Sequence, residues 1–280
     1  MILVTGATGT VGRELVTLLA QGGERVVAVA RHPEAAALPD GVVPVAADLA
    51  DPAALAPHLD GVRAIFLNPA AVEGGAEQLL ALAAAHGVQH AVLLSAMTVA
   101  FPAGEPRFAD RFRVLEDLVR ASGLSWTLLR AGDFAGNVRL WAPQIRNGGV
   151  VRAAYPGAAT APLVERDLSA VAARVLVDPG HEGKAYVLTG PRALDQREKL
   201  AAIAETIGRS LELVELTPAQ AKAGMVANGV PSEIADRLLG SLADYAAQPG
   251  PTTDDVAQLL GRPALPFADW AAANARLFAD

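Results

Sequence analysis

The chain has 280 residues, 52% of them apolar, enough to bury one large core or a main domain with a smaller lobe. Its 23 basic and 30 acidic residues leave a formal charge of −7, which repels polyphosphate backbones and argues against direct nucleic-acid binding. There is no cysteine, so disulfides, thiolate catalysis and thiolate metal sites are excluded. The histidines, His32, His58, His86, His90 and His181, show no H-x-x-x-H or H-x-x-E-H spacing that would support zinc.

Met1-Ile2-Leu3-Val4-Thr5-Gly6 carries no basic leader before an apolar stretch, so no secretory signal is expected. The longest strongly apolar run, Ala91 to Phe101, is interrupted by Ser95 and Thr98. It reaches about half of the roughly 20 residues a membrane helix needs. The expected location is cytoplasmic.

Up to about Arg130, short β-branched runs alternate with longer helix-compatible segments, the rhythm of parallel βαβ units. Strands are predicted at Ile2 to Thr5, Arg25 to Ala30, Val42 to Ala46, Ala64 to Leu67, Ala91 to Leu94 and Trp126 to Leu129. In the first predicted helix Val11, Leu15, Leu18 and Leu19 share one face while Arg13 and Glu14 stay wet. After Arg130 the rhythm loosens through Gly132-Asp133-Phe134-Ala135-Gly136-Asn137, where a chain of this kind leaves its sheet to build a substrate lobe. Asp167 is predicted to cap a helix from Leu168 to Leu176, and Ala185 to Leu188 to return as a strand. Thr217-Pro218-Ala219-Gln220 has a capping-box pattern, and Ser232 is a predicted cap for the next helix. Near the end, Phe267, Trp270, Ala271, Asn274 and Phe278 recur at helical spacing as a docking stripe. The expected fold is α/β, a doubly wound parallel sheet with a small, mostly helical C-terminal lobe. The core is expected to span residues 1–133 and the lobe 134–280, with elements at about 160–190 returning to the core.

The sharpest motif is Val4-Thr5-Gly6-Ala7-Thr8-Gly9-Thr10-Val11-Gly12, which follows a predicted strand and opens a periodic helix. Glycines at these three positions serve a tight turn, close approach of backbone to a pyrophosphate, and close helix packing. The helix N-terminus then offers free N–H groups and a positive dipole end to phosphates. Gly6, Thr8, Gly9, Thr10, Val11 and Gly12 are therefore candidate contacts to a dinucleotide. After the second strand stands Arg31, where an NAD-binding chain would carry a carboxylate for the ribose 2′-hydroxyl. A guanidinium there can pair with a 2′-phosphate, which selects NADPH as the cofactor. Asp48-Leu49 follows the third strand, where the carboxylate can accept from the adenine amino group or simply cap the next helix. Asn68, after the fourth strand, joins the candidate cofactor contacts.

With Val29-Ala30-Arg31-His32-Pro33, Leu94-Ser95-Ala96, Ala121-Ser122-Gly123-Leu124-Ser125-Trp126 and Asp133-Phe134-Ala135-Gly136-Asn137, these segments make the chain resemble the atypical short-chain dehydrogenase/reductases. The nearest branch is the NmrA-like and NAD(P)H:quinone-oxidoreductase-like group, whose members are either reductases or cofactor-sensing regulators. Asp167-Leu168 and Tyr186-Val187-Leu188-Thr189-Gly190-Pro191 extend the likeness into the tail. The resemblance implies a doubly wound sheet and a small lobe over the nicotinamide.

One departure matters. Standard members use a Tyr-x-x-x-Lys pair, in which the lysine lowers the phenol's pKa and the phenol exchanges a proton with the reacting oxygen. Here the corresponding segment carries Phe108 and Phe112, and Tyr155, Tyr186 and Tyr245 are followed four places on by Ala159, Gly190 and Pro249. Ser95 stands where the family places the third member of that group, able either to orient an acceptor or the nicotinamide ribose or to satisfy a nearby backbone group. Asp133 and Asn137 either bind substrate or shape their loop, and Tyr155 is a phenol that could replace the missing acid or form a packed wall. Two functions follow: an NADPH-dependent reductase of quinone-like or other activated small-molecule acceptors, or a non-catalytic sensor acting through a protein partner. The oligomeric state is left open.

Overall fold

In the computed structural model, residues 1–35 and 38–279 are described. Among them seven strands form a parallel sheet: β1 (Ile2–Thr5), β2 (Val26–Ala30), β3 (Val43–Ala46), β4 (Ala64–Leu67), β5 (His90–Ala96), β6 (Ser125–Ala131) and β8 (Lys184–Leu188). Their order is β3-β2-β1-β4-β5-β6-β8, so the sheet reverses its winding between β1 and β4. Ligands of such sheets sit outside the carboxyl ends of the strands at that switch point. Strands buried on both faces should be continuously apolar, and Val26-Val27-Ala28-Val29-Ala30 is buried throughout.

Two apolar layers sandwich the sheet. On one face α1 (Thr10–Gln21) and α5 (Glu165–Val177) pack against each other and bury Val11, Leu15, Leu19, Leu168 and Val175. On the other, α2 (Ala76–Ala85) and α3 (Pro106–Ala121) cover Leu3, Ile65 and Leu93. The outer edge of β8 would expose unpaired backbone groups. It is closed by the Asp255 carboxylate, which accepts from Val187 N–H at 2.6 Å, and by the Thr253 hydroxyl, which donates to the Val187 carbonyl.

Helix α9 (Asp255–Leu260) joins the layer of α1 and α5, burying Val256 and Leu259 there, while the lobe combines α4 (Ala142–Arg146), α6 (Gln196–Ile207), α7 (Pro218–Ala227), α8 (Ser232–Ala247) and α10 (Phe267–Ala273). It also contains a small parallel pair absent from the sequence reading, β7 (Val150–Ala153) with β9 (Glu212–Glu215). Both strands are four residues long and half-exposed, so neither shows a clear apolar alternation. Phe267, Trp270, Ala271 and Phe278 are buried in the lobe's core, with Phe267 and Trp270 stacked at 5.7 Å.

Two caps differ from expectation. Asp167 is not the cap of α5, which begins at Glu165; it lies inside the first turn, fully buried, accepting from Arg262 Nη2 and Leu265 N–H at 2.6 Å each. Its carboxylate pins the 262–265 segment and still favours the positive helix end. Ser232 is the first residue of α8 rather than its cap, because Pro231 takes the extended cap conformation. Thr217 does cap α7, with Gln220 completing the reciprocal box. No described helix is long and apolar enough to cross a membrane.

Candidate active site

The carboxyl ends of β1, β2, β4, β5 and β6 collect most of the residues singled out above. The glycine loop leaves β1 across the end of β2, where Ala7 N–H donates to Val29 O at 3.1 Å. Gly6 has φ +64°, and a Cβ there would lie 2.9 Å from Asn68 Nδ2, so loop and Asn68 are in direct contact. Asn68 is held from two sides: its N–H donates to Thr5 Oγ1 at 2.8 Å, and its Oδ1 accepts from Ala70 N–H at 3.1 Å. Gly12 presses on the loop itself, since a Cβ would meet Gly6 O at 2.2 Å. Gly9 is exposed, extended, and caps α1 without a side chain. These features fit a pyrophosphate at the start of α1: a bare glycine cradle, an uncapped helix end and no acidic residue in the first turn. The side chains of Val11 and Leu49 are buried in the core, so either can meet a ligand chiefly through its backbone.

Arg31, just past the end of β2, is exposed and makes no hydrogen bond or ion pair among the described residues. Its guanidinium is thus available to a ligand. Asp48 is exposed and its Oδ1 accepts from Ala50 N–H at 3.0 Å. The following 3-10 turn, Pro52–His58, is capped by Asp51, which leaves Asp48 Oδ2 unused by that turn.

Ser95 is buried at 2% exposure, and its hydroxyl donates to Glu116 Oε1 at 2.7 Å. Glu116 also receives Arg130 through Nε (2.9 Å) and Nη2 (2.7 Å), and Arg120 Nη2 at 2.8 Å. Burial pushes the Glu116 carboxyl up, but the bonds from Arg130 and Ser95 and the nearby guanidinium charges outweigh it and hold it below the usual carboxylate range. Ser95 is therefore tied to the α3 side of the sheet, with acceptor lone pairs as its remaining capacity. Nearby, Thr98 in the turn after β5 has a buried Oγ1 without a partner among the described residues. An orphaned hydroxyl costs about 1–3 kcal/mol, which a bound ligand would relieve.

Asp133 follows β6 and gathers a polar cluster from distant parts of the lobe. Its Oδ1 accepts from Asn137 Nδ2 at 2.6 Å, and its Oδ2 accepts from Thr160 Oγ1 at 2.6 Å and Lys199 Nζ at 3.1 Å. Lys199 is only 7% exposed at its side chain and comes from α6, 66 residues along the chain. Burial raises the Asp133 carboxyl, but the Lys199 charge and the three hydrogen bonds hold it below its ordinary value, so it is ionised. Tyr245 on α8 lies within reach of this charge: burial, then Asp133 and Asp244, raise its phenol, keeping it protonated. No Tyr-x-x-x-Lys pair is spelled in the sequence, yet the fold brings Lys199 to the loop after β6 and Tyr245 within range of the Asp133 charge.

Tyr155 has φ +53°, a left-handed conformation that L-residues with bulky side chains rarely hold. Gln196 Nε2 donates to the carbonyls of both Ala154 and Tyr155 at 2.8 Å, which fixes the turn. The ring packs in an apolar cluster with Ala154, Ala221 and Leu239. Phe108 and Phe112, on the first turns of α3, meet edge to face at 5.1 Å.

A family model described as NAD(P)H-binding matches residues 6–147, a stretch running from the glycine loop past Asp133. The chain belongs to that family. A (4-alkanoyl-5-oxo-2,5-dihydrofuran-3-yl)methyl phosphate reductase of Streptomyces griseus subsp. griseus is 42% identical over 100% of this chain and 99% of its own. An NAD(P)H azoreductase of Xenophilus azovorans is 34% identical over 99% of each chain. The solved structure of an NADPH-dependent quinone oxidoreductase of Escherichia coli, complexed with NADPH, superposes with a TM-score of 0.83 at 27% identity, covering 98% of this chain and 99% of that one. The chain is thus an oxidoreductase of the NAD(P)H-binding, quinone-oxidoreductase-like group.

Proposed function

We propose that this protein is an NADPH-dependent reductase whose acceptors are electron-poor conjugated molecules. The observation that carries this reading is the Phe108–Phe112 pair in the segment where a proton-donating dyad would stand. NADPH, when bound, supplies the hydride. The glycine loop and the start of α1 hold its pyrophosphate, Arg31 pairs with its 2′-phosphate, and Asp48 and Asn68 border the adenosine and ribose. Ionised Asp133 accepts hydrogen bonds and donates none, so the proton comes from water or from a donor beside it, Lys199 Nζ or the Tyr245 phenol.

A simple ketone becomes an alkoxide on reduction and needs a positioned acid. A quinone becomes a phenolate-like oxygen, with basicity near the roughly 10 of a phenol, and needs far less help. The acceptors named for the relatives belong to the easier class: an azo bond, a quinone, and a double bond flanked by lactone and alkanoyl carbonyls. Anaerobic NADPH consumption against quinones, azo dyes, acyl butenolides and plain ketones tests the reading. Activated acceptors should outpace ketones by about 10²- to 10⁴-fold, the usual contribution of a general acid. Efficient ketone reduction that disappears in Tyr155→Phe or in Tyr245→Phe would show a relocated acid and overturn it. Tight NADPH binding with no turnover on any acceptor would favour the sensor function instead.

A further inference from the structure

Helix α8 presents a polar stripe to the loop that enters α3. Arg237, Ser241, Asp244 and Tyr245 fall at i, i+4, i+7 and i+8, which places them on one helical face. The contacts agree. Asp244 Oδ2 accepts from Gly104 N–H at 2.6 Å, Ser241 Oγ donates to Ala103 O at 3.4 Å, and the Tyr245 carbonyl accepts from Ala159 N–H at 3.1 Å. At Gly104, with φ +69°, a Cβ would lie 2.8 Å from the Ser241 backbone nitrogen, so only glycine allows the helix this close. The helix is thereby clamped onto the loop that enters α3.

This clamp sets the Arg237 guanidinium 4.1 Å above the ring of Phe108. A guanidinium stacked on an aromatic face keeps its N–H fork directed outward, in the plane that pairs with phosphate or carboxylate oxygens. Arg237 has no hydrogen bond or ion pair among the described residues. Arg111 lies three residues beyond Phe108 on α3, and its guanidinium binds Glu73 at 3.0 Å on an exposed surface. Burial and the charge of Arg111 both disfavour the Arg237 cation, and Glu105 offsets part of this. One guanidinium thus rests on an aromatic platform at the start of α3, with the charge of a second, Arg111, felt from the next turn of the same helix.

We propose that Arg237, supported by Arg111, is an anion-binding subsite for the acceptor, and that the acceptor carries a phosphate monoester beside its conjugated bond. The proposal rests on the reductase reading above. A neutral quinone or azo compound has no use for a half-buried guanidinium without a partner, whereas a bound phosphate offsets the Arg111–Arg237 repulsion and accepts the N–H fork. The cofactor's own 2′-phosphate is served by Arg31, beyond β2, while Arg237 lies over α3, beyond β5.

The test compares an acyl butenolide bearing a phosphomethyl group with its hydroxymethyl counterpart, in the full-length protein and in Arg237→Met and Arg237→Lys. In the native protein kcat/KM should favour the phosphorylated acceptor. Arg237→Met should cut that preference roughly ten- to a hundred-fold, mainly through KM, as loss of one charge-assisted contact implies. Arg237→Lys should keep part of it, since the charge remains and the planar fork is lost. An unchanged preference, or an equal loss on both acceptors, overturns the proposal. So does a matching rise in NADPH Kd, which would move the contact to the cofactor. In parallel, calorimetry of phenyl phosphate with the NADP⁺-saturated protein should show binding that Arg237→Met removes. That arm decides the subsite even if no acceptor turns over, in which case the reductase reading fails separately.

Discussion

Gly9 and Gly12 belong to one motif but should fail in different ways when a side chain is added. At Gly12 a Cβ meets Gly6 O at 2.2 Å and Ala7 Cα at 2.9 Å, both backbone atoms that no rotamer can move. Ordinary contact begins near 3.4 Å, so about 1 Å of displacement between α1 and the loop is required. Helix α1 also buries Val11, Leu15, Val16 and Leu19, so moving it disturbs the core layer it shares with α5. Overpacking of this kind costs about 1–3 kcal/mol, equivalent to a fall in Tm of roughly 2–12 °C for a chain of this size. At Gly9 the Cβ meets only Gly6 O, at 3.3 Å, and φ −75° with ψ 173° suits any residue. Gly9→Val should therefore lose only about 0.5–1 kcal/mol, roughly 1–4 °C in Tm, because valine is a poorer N-cap than glycine. Its isopropyl group nevertheless fills the exposed cradle at the helix start, and NADPH fluorescence titration should detect no binding. Gly12→Val should lose both stability and binding. Normal NADPH affinity in a well-folded Gly9→Val would refute the placement of the pyrophosphate.

Two further outcomes follow from the site's charges. Arg31→Ala should raise the NADPH Kd by roughly ten- to a hundred-fold, the worth of a charge-assisted phosphate contact, and change NADH far less; equal weakening of both would remove Arg31 from the 2′-phosphate. Glu116→Gln breaks a nearly fully buried carboxylate's bonds to Arg130 and Arg120, and should cost about 3 kcal/mol at pH 7. Because the folded protein holds this carboxyl below its unfolded value, the stabilisation is complete above about pH 5 and is lost as pH falls through the folded value. Melting curves of the two proteins should converge toward acid, and a stability gap that widens there would contradict the assignment.

How legible each part was depended on how far apart its residues lie in the chain. The sheet was readable because each buried strand is a compact apolar run: the predicted strands match β1 and β4 at both ends and differ from β2, β3, β5, β6 and β8 by at most two residues at an end. The strand, glycine turn and helix at the start of the chain were readable because they are consecutive. The β7–β9 pair was not, since two four-residue strands separated by some sixty positions are held by each other and by the lobe rather than by their own pattern. Asp167 looked like a cap from local spacing alone; its true partners, Arg262 and Leu265, lie 95 and 98 residues away.

The acceptor side shows the same limit and one missed signal. A search for Tyr-x-x-x-Lys assumes that the proton-handling groups lie on one helix, four residues apart. Here the lysine beside Asp133 arrives from α6 and the nearest raised phenol from α8, so no linear spacing could join them. The recurrence of Arg237, Ser241 and Tyr245 every four residues was, however, visible as a polar stripe on an otherwise alanine- and leucine-rich helix. Such a stripe on a helix that also buries Ala235 and Leu239 means that both faces are engaged, one by apolar packing and one by polar contacts. Since fold and cofactor do not fix the acceptor, discrimination among acceptors is expected from elements free to vary around the sheet. On the proposal above, helix α8, clamped onto the loop that enters α3, is the element that would do this.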